Sequence, residues 1–178
     1  SERHKGMSGV AIASAIEGVS PFLIETQALV STAAYGTPQR SATGFDVRRM
    51  NMLLAVLEKR LGLKFFQNDV YINVTGGLKL DTPSADLAIA LALISSITDR
   101  PVKAGTICFG EIGLAGECRA VSNLESRVKE AERLGFKRVI VPYRNIEKRP
   151  IDTKMSLIPV KSVYEMLSYL SNNGKSQE

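Results

Sequence analysis

Among 178 residues, one serine stands where a serine could act as a nucleophile. Ser84 follows Pro83 at the expected first turn of an apolar helix, in the stretch Gly76-Gly77-Leu78-Lys79-Leu80-Asp81-Thr82-Pro83-Ser84-Ala85-Asp86. Backbone N–H groups at such a turn lack intrahelical partners, and together with the helix dipole they can stabilise an oxyanion. A nucleophilic serine also needs a base to take its proton, and none is adjacent to Ser84 in the sequence. The plainer role is to start the helix. His4 is the single histidine and lies in a polar N-terminal stretch, which argues against a Ser-His-Asp triad, a Cys-His pair or a histidine-built metal site. Cys108 and Cys118 are too few for a disulfide framework or a zinc site, and they fit a reduced, cytosolic setting.

The frame around that turn follows from spacing. Val10, Ile12, Ser14 and Ile16 alternate with smaller residues, a second run extends from Phe22 to Val30, and Glu17 to Pro21 holds turn residues, so a β-hairpin is predicted. Tyr35 to Gly44, with two glycines and a proline, reads as a polar loop. Asp46 is a good N-cap for a helix whose apolar positions Val47, Met50, Leu54, Leu57 and Leu61 recur three and four apart, and Gly62 ends it. Val70 to Val74 predicts a strand, and Gly76-Gly77 a sharp break. Thr82 as cap and Pro83 at the first position open a second helix, apolar all round from Leu87 to Ile94 and therefore buried. Short strand pieces between Ala104 and Gly116 lead to a third helix, opened by a Ser122-x-x-Glu125 capping box and stopped at Gly135. Arg138 to Val141 and Leu157 to Val160 predict two more strands, and Val163, Met166, Leu167 and Leu170 a final helix. Strands first and helix–strand units later give an α+β (mixed α/β) class. Residues 1–8 read as a linker or remnant, 9–170 as one domain and 171–178 as a flexible tail.

Composition narrows the partners. With 44% hydrophobic and 23% charged residues the chain should fold as a soluble globule with a real core. The longest apolar run, Leu87 to Ile94, is far short of the roughly 20 residues that cross a bilayer, so no membrane partner is expected. The net charge of +5 permits an anionic partner without demanding one. Aromatics at 6% and no tryptophan argue against base stacking as the main binding mode.

The charge is gathered in two blocks. Arg40 to Lys64 holds six basic and two acidic residues, and Arg127 to Arg149 eight basic and three acidic. Such blocks can track phosphates irrespective of base sequence, or can be ordinary solvated helix faces. Arg40, in a loop with no packing task, is the first candidate for DNA contact. Arg48 and Arg49 flank the apolar stripe of the first helix and should face solvent, although Arg49 could instead pair across an interface between copies. Lys59, Arg60 and Lys79 complete the candidate set.

Asp81-Thr82-Pro83-Ser84-Ala85 resembles the nucleophile motif of the Lon protease catalytic domain, and Gly110-Glu111-Ile112-Gly113-Leu114-Ala115-Gly116-Glu117 resembles that family's Gly-Glu-x-x-Leu-x-Gly turn. The resemblance implies a Lon-like fold related to the ribosomal protein S-five domain-two-like superfamily. It also implies a dyad whose lysine position falls on Glu125, a threonine position on Phe109 and a glycine position on Asp86. A carboxylate cannot replace the neutral amine base, so Ser84 and Glu125 are expected to be vestigial.

A fuller resemblance runs from Gly9 to Leu170. Tyr35 to Asp46, Arg48-Arg49, Leu53 to Arg60 and Asp86-Leu87-Ala88 are similar to the C-terminal domain of the RadA (Sms) family of bacterial DNA-repair ATPases. That family implies homologous recombination and branch migration by homo-hexamers on single- or double-stranded DNA, in the bacterial cytoplasm at the nucleoid, with the recombinase RecA as a further partner. Its ATP, Mg and Zn sites lie in other domains: no Gly-x-x-x-x-Gly-Lys-Ser/Thr loop and no Cys-x-x-Cys occurs in this sequence. The expectation is therefore a piece that is not itself an enzyme, serving ring assembly and sequence-independent DNA contact. The alternatives are a scaffold without DNA contact, a residual Ser84-dependent peptidase, or a peptide-binding module in the relic cleft.

Overall fold

The structure, a computed structural model, describes residues 6–34, 36–75 and 83–172. Residues 1–5, the Gly76-Gly77 break, Lys79, the Thr82 cap and most of the 171–178 tail lie outside the described residues.

The fold is mixed α/β. A seven-stranded sheet has the order β3-β4-β2-β1-β5-β8-β9. Strands β1 (Val10–Glu17) and β2 (Ser20–Thr32) form the expected antiparallel hairpin, with Ser14 opposite Leu23, and β2 pairs antiparallel with β4 (Asn68–Thr75). The remaining pairs are parallel: β3 (Arg40–Thr43) on β4, β5 (Thr106–Cys108) on β1, β8 (Arg138–Pro142) on β5 and β9 (Ser156–Val160) on β8. A separate small hairpin joins β6 (Glu111–Ile112) to β7 (Cys118–Arg119).

Alternation along each strand feeds two cores on opposite faces. Ala11, Ala13, Ala15, Cys108 and Ile140 face one side, against helix α1 (Val47–Leu61) and the wholly buried stretch Leu87 to Ile94 of α2 (Asp86–Thr98). Ile12, Ile107, Phe109, Val139 and Val141 face the other side, against Leu124, Val128 and Ala131 of α3 (Leu124–Arg133). Beyond α3 the outer face is open: Leu29 on β2 and its register partner Tyr71 on β4 are both exposed. A short α4 (Tyr143–Ile146) follows β8, and a 3-10 helix, Val163–Tyr169, closes the described chain.

Helix α1 is as the spacing predicts. The Asp46 carboxylate accepts from the Arg48 N–H at 2.8 Å, and Gly62 takes the left-handed conformation at φ 72°. Three expectations are corrected. The stretch 35–44 is not all loop, because Arg40–Thr43 forms edge strand β3. Its composition carries no strand signal, and parallel pairing with β4 supplies the order. Gly44 ends it at φ 78°, where a Cβ would fall 2.7 Å from the Val74 carbonyl oxygen. The Ser122–Glu125 capping box does not form: α3 starts at Leu124 after Asn123 in the left-handed region (φ 54°), with no side-chain cap. That box forms instead at Ser162 and Glu165, where the Glu165 carboxylate accepts from the Ser162 N–H at 3.2 Å. Ser84 lies not in α2 but in the 3-10 turn Pro83–Ala85 that precedes it.

Candidate functional site

The serine turn is locked from both sides by one glycine. The Gly110 N–H donates to the Ser84 carbonyl and the Gly110 carbonyl accepts from the Leu87 N–H, both at 3.0 Å. Gly110 has no room for a side chain, since a Cβ would sit 2.7 Å from the Cys118 sulfur and 3.3 Å from Leu87. Ser84 is buried, and Glu125 is exposed on the first turn of α3.

Next to the serine, α2 begins on a carboxylate. The Asp86 side chain is fully buried, and Arg49 of α1 grips it with two parallel N–H donors: Nε lies 2.6 Å from Oδ1, and Nη2 reaches Oδ2. The Ile112 N–H of β6 adds a bond to Oδ2 at 3.0 Å. Burial pushes the Asp86 carboxyl upward, while Arg49 and the Ile112 N–H pull it down. One carboxylate thus ties α1, α2 and the small hairpin together. A charge at the head of an otherwise apolar helix demands such a partner, and that was the sequence signal for this clamp.

One arginine of the second basic block is buried. Arg127 of α3 is 2% exposed. Its Nε donates to the Ser122 carbonyl at 2.9 Å, its Nη1 to the Ser14 carbonyl at 2.8 Å, and its guanidinium carbon lies 5.9 Å from the centre of the Phe109 ring. No carboxylate pairs with it among the described residues, and burial lowers its pKa.

The candidate DNA contacts fall into separate environments. Arg40, read as a free loop residue, has a packing task after all: on β3 it donates to the carbonyls of Asn68 and Phe65, the latter at 2.9 Å. Arg49, expected to face solvent, is committed to Asp86 within its own chain. Arg60 is half-buried, its Nε has no hydrogen-bond partner among the described residues, and its stem packs on Gly116. Arg48 and Lys59 are exposed. Eleven residues apart, they lie on one line of α1, about 16 Å from each other at 1.5 Å rise per residue. Lys64 is exposed just beyond. Lys79 lies outside the described residues. In the second block Arg127 is buried and Arg133 is paired with Glu130 at 2.6 Å, whereas Lys129, Lys137, Arg144, Lys148 and Arg149 are exposed.

Among the described residues no group of His, Cys, Asp or Glu is arranged to hold a metal ion, and no helix is long and apolar enough to cross a membrane. Cys108 and Cys118 are both buried, and burial pushes both thiols up, Cys118 to about 12, which keeps them protonated at neutral pH.

Comparison with known proteins places this geometry. A family model described as subunit ChlI of Mg-chelatase matches residues 26–145, a span that holds the serine turn, the Arg49–Asp86 clamp and the small hairpin. The chain is 46% identical over 166 residues to DNA repair protein RadA of Bacillus subtilis (strain 168), covering 93% of this chain and 36% of that protein. It is 48% identical over 168 residues to DNA repair protein RadA of Synechocystis, covering 93% and 32%, and 43% identical over 165 residues to that of Haemophilus influenzae, covering 93% and 36%. The chain thus spans about a third of the length of the curated relatives it matches. One expectation is overturned. The sequence reads as a piece that is not an enzyme, but the matching family model is described as a subunit of an enzyme, Mg-chelatase.

Proposed function

We propose that this chain, which belongs to the family described as subunit ChlI of Mg-chelatase, acts in DNA repair as part of a RadA-type protein. There it contacts DNA through backbone phosphates and assembles with copies of itself. In this reading the assembly is a hexamer that serves homologous recombination and branch migration in the bacterial cytoplasm. The observation that carries the DNA contact is the exposed line of Arg48 and Lys59 on α1, extended by Lys64. Neither Arg48 nor Lys59 has an ion-pair partner among the described residues. Their separation of about 16 Å spans several phosphates of one strand, which recur every 3.4 Å along a duplex. Contacts of this kind reach phosphates and carry no base information, so base identity should not matter.

Fluorescence anisotropy of labelled single- and double-stranded DNA, titrated with salt, tests this reading. Affinity should fall steeply with salt and drop in Arg48→Glu/Lys59→Glu, in proportion on unrelated sequences. Equal binding by the double variant and the parent at low salt would remove the α1 surface from DNA contact.

A further inference from the structure

Leu114 is 73% exposed at the tip of the β6–β7 hairpin. The turn that carries it is braced. The Gly113 N–H donates to the Glu117 carbonyl at 3.0 Å, the Gly116 N–H to the Gly113 carbonyl at 2.9 Å, and the Ala115 N–H to the Glu117 carboxylate at 3.1 Å. Arg119 holds the same carboxylate at 3.0 Å. A Cβ on Gly113 would fall 2.2 Å from that carboxylate. The base is anchored as well, since the Cys118 N–H donates to Lys161 and the Val163 N–H to Gly116, both at 2.8 Å. A large apolar side chain is thereby presented to solvent on a rigid arm, and little ordering entropy remains to be lost when it docks.

Elsewhere on the chain a cleft of about 350 Å³ lies between the start of β1, the Val102 to Thr106 segment and the turn after α3. Val10, Ile12, Val102 and Phe136 supply apolar wall, and Lys103 and Lys137 are its exposed charged groups. No carboxylate is among the described residues lining it. The hairpin bears Glu111 and Glu117 against the single cation Arg119. Knob and hole are complementary in both shape class and charge, and one chain carries both.

We propose that the β6–β7 hairpin seats Leu114 in the Lys103–Lys137 cleft of a second copy of this chain. The contact rests on the self-assembly reading above and names the two surfaces that make it. The apolar core of the contact is Leu114 against Val102 and Phe136, and the carboxylates of Glu111 and Glu117 meet the lysines at its rim.

Sedimentation velocity on this chain, across a concentration series, is the test. Leu114→Asp and Ala104→Trp, one spoiling the knob and the other filling the hole, should each raise the dissociation constant of the assembly at least tenfold, with far-ultraviolet circular dichroism spectra unchanged because both sites are exposed. The native thiols are buried, so oxidation of a mixture of Leu114→Cys and Ala104→Cys chains should yield cross-linked dimers that neither variant yields alone. A parent chain that stays monomeric throughout would overturn the assembly reading itself. A parent that assembles while Leu114→Asp assembles equally well would overturn the hairpin contact alone. Dissociation by Leu114→Asp with no effect of Ala104→Trp and no cross-link would mean that a different surface takes the knob.

Discussion

Two arginines carry charge into this fold, and the protein treats them differently. Arg49 meets the Asp86 carboxylate in a two-point grip that a backbone N–H completes. Arg127 is buried further, with no carboxylate partner among the described residues, and donates to the carbonyls of Ser122 and Ser14 above the Phe109 ring. The first arrangement compensates a charge with a charge. The second spreads it over dipoles and an aromatic face, which recover less of the hydration lost. Which partner would be left behind therefore sets the cost of removal. Deleting Arg49 strands a fully buried anion, whereas replacing Arg127 strands only neutral carbonyls.

The largest effect should come from Arg49→Ala. Leaving Asp86 buried and unpaired is expected to cost about 3 kcal/mol of unfolding free energy, read by urea denaturation. A double-mutant cycle with Asp86→Ala should return a large favourable coupling, because the second change removes the stranded charge. Additive losses would mean that the two residues act independently.

Arg127→Met, which keeps length and apolar bulk, should cost about 1 kcal/mol, well below the Arg49 variant. The methionine avoids the desolvation of a lone guanidinium and forfeits hydrogen bonds to neutral acceptors. A loss that equals or exceeds that of Arg49→Ala would collapse the distinction between the two sites.

A pH series sharpens it. In Arg49→Ala, Asp86 keeps its burial and loses its cation, so its folded pKa should lie above the unfolded value near 3.9. The folded state then binds more protons than the unfolded state between those two values, and stability rises as pH falls through the folded pKa. The deficit of Arg49→Ala should accordingly shrink on acidification from neutral pH toward the unfolded value. The deficit of Arg127→Met should stay flat, because that variant leaves no carboxyl newly unpaired.

The same contrast marks what was legible beforehand. Elements fixed by local chemistry were readable: the capped helix α1, the buried run of α2 and the β1–β2 hairpin all carry their own signals. Strand β3 was not, because Arg-Ser-Ala-Thr is a strand only through its neighbour β4. Nor was the true place of the Ser-x-x-Glu box. The pattern occurs at Ser122 and at Ser162, and tertiary packing puts Asn123 of the first into a left-handed turn. The serine turn was identified, but its locking by Gly110 required contacts from 26 residues away, the separation that also joins Asp86 to Ile112. The basic blocks hold less free surface charge than their composition suggests, since sequence charge does not reveal that Arg127, Arg49 and Arg40 are committed to partners within the fold.

That difference leads to the smallest expected effect, which is also the most discriminating for function. Each phosphate contact contributes a slope of about 0.9 in log affinity against log salt on duplex DNA. Arg48→Ala should reduce the slope of this chain by about one contact's worth. Arg127→Met removes the same formal charge from the sequence and should leave the slope unchanged, because the arginine is 2% exposed and its guanidinium is hydrogen-bonded inward. Anisotropy titrations of the two variants beside the parent separate a surface read by DNA from a net charge summed over the chain. If both variants lower the slope equally, the total field rather than the α1 line governs binding. If only Arg48→Ala does so, the contacts are local, and the buried arginine belongs to the architecture alone.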